Sequence, residues 1–145
     1  MTLKFRNLET PPDAPVQEWP TEAVLTALER GSVRDWRRLL RVVEREPWGP
    51  TARRVEQALA VSRPYGVAGL MERAIHRARE RVSGEERAEI ARQVRCHLDR
   101  SGLTRSEFAQ QVGTSPSRLS TYLSGKVTPS AALLLRMSRV NKEGR

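Results

Sequence analysis

The chain has 145 residues, a formal net charge of +9 and a mean hydropathy of −0.58. This length allows one domain, or two small ones, with a substantial apolar core. No apolar run approaches the roughly 20 residues of a membrane helix, and no apolar segment follows Lys4 and Arg6 as in a signal peptide. We therefore expect a soluble, cytoplasmic protein that does not enter a membrane.

Scarce cysteine and histidine limit the possible chemistry. Cys96 is the single cysteine, which excludes an internal disulfide bond. Because only His76 and His97 accompany it, we expect no metal site. The positive charge suits a polyanionic partner, and the excess of arginine over lysine favours bidentate contacts with phosphates. A GC-rich genome would produce the same excess without a functional reason.

Residues 1–20 are rich in proline and show little periodicity, which predicts an extended or loosely packed arm. Trp19 is expected to anchor the end of this arm. Residues 21–82 are predicted to form a helical module for dimerisation or partner binding. Its helices are expected at about 21–30, from Ser32 to the break at Pro47, at about 51–61 and at about 67–81.

Two surfaces of this module allow more than one interpretation. The helix at 67–81 has a sustained apolar stripe, which fits either a core position or a dimer interface. The helix after Ser32 carries arginines around its polar face, namely Arg34, Arg37, Arg38, Arg41 and Arg45. A nucleic-acid patch and a solvated face both fit, and the interleaved Asp35, Glu44 and Glu46 favour the solvated face.

A domain boundary is predicted at Ser83-Gly84, because Ser83 and Glu86 have the spacing of a capping box. A separate domain would then cover residues 83–141. Its first helix is expected at about 85–99, and residues 141–145 are expected to fray.

The densest local signals lie in the stretch 103–129. Caps and stops follow one another along it: Thr104 with Glu107, Gly113, Ser115 with Pro116, and Gly125. The first pair has capping-box spacing. Each glycine ends a helix because glycine enters the left-handed region freely, and proline at a first helical position sacrifices no hydrogen bond. The pattern predicts two short helices joined by a tight turn.

This stretch resembles the helix-turn-helix of phage-repressor and Cro-type regulators, the XRE family. Ala109, Gly113 and Leu119 match the small, turn and core positions of the family pattern, and residues 126–129 resemble its link to the next helix. The resemblance covers about residues 84–140. It implies an all-α chain, in which an N-terminal helical module precedes a five-helix phage-repressor-like DNA-binding domain.

The resemblance also implies a function. We expect a sequence-specific transcriptional regulator of double-stranded DNA, a repressor that forms a homodimer and contacts the major groove with the helix at about 116–124. On this helix, the residues expected to contact bases are Ser117, Arg118, Ser120 and Thr121. The residues expected to contact phosphates are Arg105, Ser115, Ser124 and Lys126. Pro116 and Arg105 occupy positions where many relatives carry glutamine, so a glutamine pair that braces base recognition is absent.

Two other functions remain open at this point. An antitoxin-like protein would bind a partner through residues 1–82 and regulate its own operon. A small-molecule sensor would need a pocket in the N-terminal helices, for which Trp36, Trp48 and Tyr65 are candidate lining residues.

No catalytic motif is recognisable, so we expect neither enzymatic activity nor a cofactor. Glu85, Glu86 and Glu89 form an acidic cluster, but negative charge in a first helical turn is explained by the helix dipole. Cys96 and His97 are adjacent in a predicted helix and therefore do not face each other.

Overall fold

The computed structural model describes residues 3–6 and 8–143, with side chains as far as residue 140. Residues 1, 2 and 7 of the expected arm, and the last residues of the stretch expected to fray, lie outside this part. The described elements are a 3-10 turn at Val16–Glu18 and the helices α1 Thr21–Arg30, α2 Val33–Arg45, α3 Pro50–Val61, α4 Val67–Ser101, α5 Arg105–Val112, α6 Pro116–Ser124 and α7 Ala131–Glu143. No strand occurs among the described residues, and the predicted all-α class is confirmed.

The chain divides into two compact units, Met1–Val82 and Ser83–Arg145. In the first unit, α1 packs against both α2 and α3. Its core contains Trp19, Val24, Leu28, Leu39, Val43, Val55, Leu59, Met71 and Ile75. None of the helices in the described part of the chain has the length and apolar character needed to cross a lipid bilayer.

The predicted helix break at Ser83-Gly84 is wrong, because α4 continues without interruption from Val67 to Ser101. Serine followed by glutamate at capping-box spacing is also compatible with a helix interior, where both residues are tolerated. The isolated Gly84 costs only about 1 kcal/mol relative to alanine, and good helix formers surround it. A local cap pattern therefore did not end the helix.

The N-terminal stretch, for which we expected an extended or loosely packed arm, contributes buried side chains to the first unit. Leu3 and Val16 are buried, and Trp19 is completely inaccessible. Arg38 of α2 lies over the Trp19 ring, 4.8 Å from its centroid. Its guanidinium also donates hydrogen bonds to the carbonyl oxygens of Pro12 and Ala14, both at 3.0 Å. Arg38 thus donates hydrogen bonds to carbonyl oxygens of a proline-rich segment that lacks the regular backbone hydrogen bonds of a helix or sheet.

Candidate nucleic-acid interface

The second unit builds its core from α4, α5, α6 and α7. The buried residues are Val94, Phe108, Ala109, Val112, Leu119, Leu123, Leu133 and Met137. Ala109 is fully buried and has the small side chain that a close crossing of two helices requires. The paired helices α5 and α6 therefore rest on a small apolar core, which fixes the face that α6 leaves exposed.

Local capping defines both ends of α5. The Thr104 hydroxyl accepts a hydrogen bond from the Glu107 amide at 3.2 Å, and the Glu107 carboxylate accepts one from the Thr104 hydroxyl at 2.8 Å. Gly113 ends the helix with φ +80°, in the left-handed region. A Cβ there would lie 3.2 Å from Nη1 of the flexible Arg136 side chain, so the positive φ is what favours glycine in this turn.

The helix α6 is fixed at both ends as well. The Ser115 hydroxyl accepts a hydrogen bond from the Arg118 amide at 3.2 Å, and Pro116 occupies the first helical position. Gly125 ends the helix with φ +80°. Leu119 and Leu123 are buried on the inner face of α6, and residues 117, 118 and 120 are exposed on its solvent side.

Residues 92–142 match the family model described as Helix-turn-helix. The matched segment is a helix-turn-helix domain of the XRE type. This confirms the resemblance drawn from the sequence and assigns a DNA-binding regulatory domain to this part of the chain. No curated protein and no solved structure matches the chain.

The residues expected to contact bases fall into two groups on the helix-turn-helix domain. Ser117, Arg118 and Ser120 are exposed on α6. The Arg118 guanidinium forms no hydrogen bond or ion pair with any described residue, so its full set of donors is available to a ligand. Thr121 is only half-exposed, and its hydroxyl donates to the Arg118 carbonyl oxygen at 2.6 Å. Its proton is therefore committed within the helix.

The residues expected to contact phosphates also differ in whether their side-chain donors are available to a ligand. Arg105 begins α5, Lys126 follows α6, and both are exposed. The Ser115 hydroxyl acts as an acceptor in its cap and retains a proton for donation. The Ser124 hydroxyl donates to the Thr121 carbonyl oxygen at 3.1 Å, so it would have to rotate to donate to a phosphate. Ser115 can therefore donate to a phosphate in its present conformation, whereas Ser124 cannot.

Sequence reasoning missed one residue that positions α6. Arg95 of α4 donates from Nη1 to the Leu123 carbonyl oxygen at 2.7 Å. The last carbonyls of a helix lack partners within the helix, and a cation there is favoured by the helix dipole. The available signal was an arginine beside the apolar positions Ala91, Val94 and Leu98, but no pattern in the sequence indicated that α6 would end beside it.

One ionisable group in the second unit has a shifted pKa. Partial burial of His97 on α4 lowers its pKa below the usual 6.5, and the charge of Arg100 lowers it further. The neutral imidazole is therefore favoured in the folded domain. Within the described part of the chain, no three histidine, cysteine, aspartate or glutamate residues are grouped so as to hold a metal ion.

Proposed function

We propose that this protein is a cytoplasmic, homodimeric transcriptional repressor that recognises a specific DNA sequence by placing α6 in the major groove. The observation that carries the proposal is the exposed Arg118 in the first turn of α6, without a protein partner among the described residues. A recognition helix contacts base edges with its N-terminal residues. Arginine there can bond both acceptors of a guanine.

The surroundings of Arg118 support this orientation. Ser117 and Ser120 are exposed next to it and offer short hydroxyl groups that suit several bases. Arg105 and Lys126 lie at the start of α5 and just after α6. Positive charge at those ends suits the phosphate backbone on either side of a groove. This placement supports base contacts by Ser117, Arg118 and Ser120 and phosphate contacts by Arg105 and Lys126.

Selection of bound sequences from a random duplex pool tests the proposal. The full chain should enrich one motif that occurs as two inverted half-sites about one helical turn apart, as a two-fold dimer requires. Enrichment of a single half-site would contradict the homodimer but retain sequence-specific binding. A pool that remains random while binding persists would contradict base recognition by α6. Repression is then tested by placing the selected site over a reporter promoter.

A further inference from the structure

An open groove of about 410 Å³ lies on the first unit, between α2 and α4. Its floor is apolar and consists of Leu40, Leu70, Ala74 and Ala78. Leu70 is 38% exposed, although it belongs to the apolar stripe of its helix. The small side chains of the two alanines leave space above the α4 backbone, so another helix can approach it closely.

Arginines form one rim of this groove. Arg73, Arg77 and Arg81 follow one another at intervals of four residues, which places them on one face of α4 about 6 Å apart along its axis. Arg81 donates to the Glu44 carbonyl oxygen at 2.6 Å on the opposite side. Arg73 and Arg77 make no side-chain hydrogen bond or ion pair with the described residues.

Two other arginines of the same unit are paired with carboxylates within it. Arg63 is bonded to Glu72, and Arg79 is bonded to Glu56. Glu72, the carboxylate next to Arg73 in the chain, is thus already engaged. The groove therefore combines a partly accessible apolar floor with the guanidinium groups of Arg73 and Arg77, neither of which forms a hydrogen bond or ion pair with a carboxylate in the described part of the chain, although Arg73 lies in the field of Glu72.

We propose that this groove binds an acidic amphipathic helix of a partner protein. Helix-in-groove recognition uses apolar anchors at intervals of three or four residues. Such anchors would cover Leu40 and Leu70, while a flanking row of aspartate or glutamate would pair with Arg73 and Arg77. Arginine forms bidentate hydrogen bonds with carboxylates, so this pairing would also set the register of the partner.

Two other occupants fit the groove less well. A nucleic-acid backbone would leave the apolar side chains of Leu40 and Leu70 uncovered. A second copy of the same groove would oppose arginine to arginine, which is repulsive. The groove lies outside the helix-turn-helix domain, so the proposal does not depend on DNA recognition by α6.

The test uses the full chain and a displayed library of helical peptides randomised on their exposed positions. Peptides that bind should be enriched in acidic residues at intervals of four, beside an apolar stripe. Their affinity, measured by fluorescence anisotropy, should fall about tenfold or more for the double substitution Arg73→Glu/Arg77→Glu. Exchange of the peptide's acidic residues for lysine should restore binding to that variant. Leu70→Ser should lower the affinity for the original peptides, because it removes an apolar contact of the floor and leaves the arginines unchanged.

The matched control is Arg34→Glu/Arg53→Glu, which changes two exposed arginines that do not line the groove. It should leave peptide affinity within about twofold. Enriched peptides that bind the Arg73/Arg77 variant and the wild type equally would overturn the proposal, as would the absence of an acidic row. A loss of duplex affinity in that variant, without a loss of peptide binding, would assign the groove to nucleic acid instead. Circular dichroism of each variant verifies that these surface changes preserve the helices.

Discussion

The Arg95 guanidinium on α4 donates a hydrogen bond to the Leu123 carbonyl oxygen, 2.7 Å away in the last turn of α6. The contact joins residues 28 positions apart within the second unit. It satisfies a carbonyl that has no partner within its own helix. The first helix of the DNA-binding domain thereby restrains the helix proposed to enter the groove.

Replacing Arg95 by methionine should lower the free energy of unfolding by about 1 kcal/mol, because the aliphatic stem remains while the donor is lost. DNA affinity should fall as well, because α6 loses a contact that restrains its orientation. Urea denaturation and a duplex titration measure the two effects. Arg92→Met is the matched control, since Arg92 is exposed on the same helix and bonds to Glu89 within it. Equal losses in the two variants would refute a positioning role for Arg95.

Gly84→Ala should raise the free energy of unfolding by about 0.5–1 kcal/mol, because Gly84 lies inside a continuous helix. An added Cβ there would meet nothing within 4 Å. Gly66 is the matched control, because it also has open space around it but has φ +79°. Gly66→Ala should therefore be destabilising by about 1 kcal/mol. Denaturant unfolding curves measure both free energies of unfolding. A loss of stability in Gly84→Ala would indicate that α4 is interrupted.

Replacement of Arg118 and of Lys126 by alanine should change DNA binding in different ways. Arg118→Ala should cost about 1–3 kcal/mol on the preferred site and relax the preference at one base position per half-site. Lys126→Ala should weaken all duplexes about equally and reduce the salt dependence of binding by roughly one unit per lost phosphate contact. Titrations on specific and scrambled duplexes at several salt concentrations separate these results. An equal loss on both duplexes for Arg118→Ala would make Arg118 a phosphate contact.

Stability should decrease as the pH falls below about 6.5, in part through His97. Its pKa is lower in the folded domain than the usual 6.5, so the unfolded chain binds more protons in that window. The stability from neutral His97 is thus complete above the unfolded pKa and is lost below it. His97→Gln should flatten the change in unfolding free energy between about pH 7 and pH 5.5. His76→Gln is the control, because His76 is exposed beside Glu80, and an identical flattening there would exclude a specific effect of His97.

The sequence predicted those parts of the structure that are determined by neighbouring residues. The caps at Thr104 and Ser115 and the stops at Gly113 and Gly125 depend on groups within a few positions, and all four occur in the structure. A local pattern failed at Ser83-Gly84, because the same residues fit a helix interior. The contact of Arg38 with Trp19 depends on distant segments that no local pattern connects, and so does that of Arg95 with Leu123. The DNA-contacting roles on α6 stay predictions, since they depend on a ligand.

The distribution of aromatic residues gives each unit its own optical signal. Trp19, Trp36 and Trp48 all belong to the first unit, while the second has Tyr122 and Phe108. Trp19 is fully buried, and the Trp36 indole donates to the Ala27 carbonyl oxygen at 2.9 Å, so the emission of both should change when that unit opens. Tryptophan fluorescence therefore reports on residues 1–82 alone, whereas far-ultraviolet circular dichroism follows the helices of both units. Where the two unfolding curves differ, the additional transition in circular dichroism reports the melting of the DNA-binding domain in unlabelled, wild-type protein.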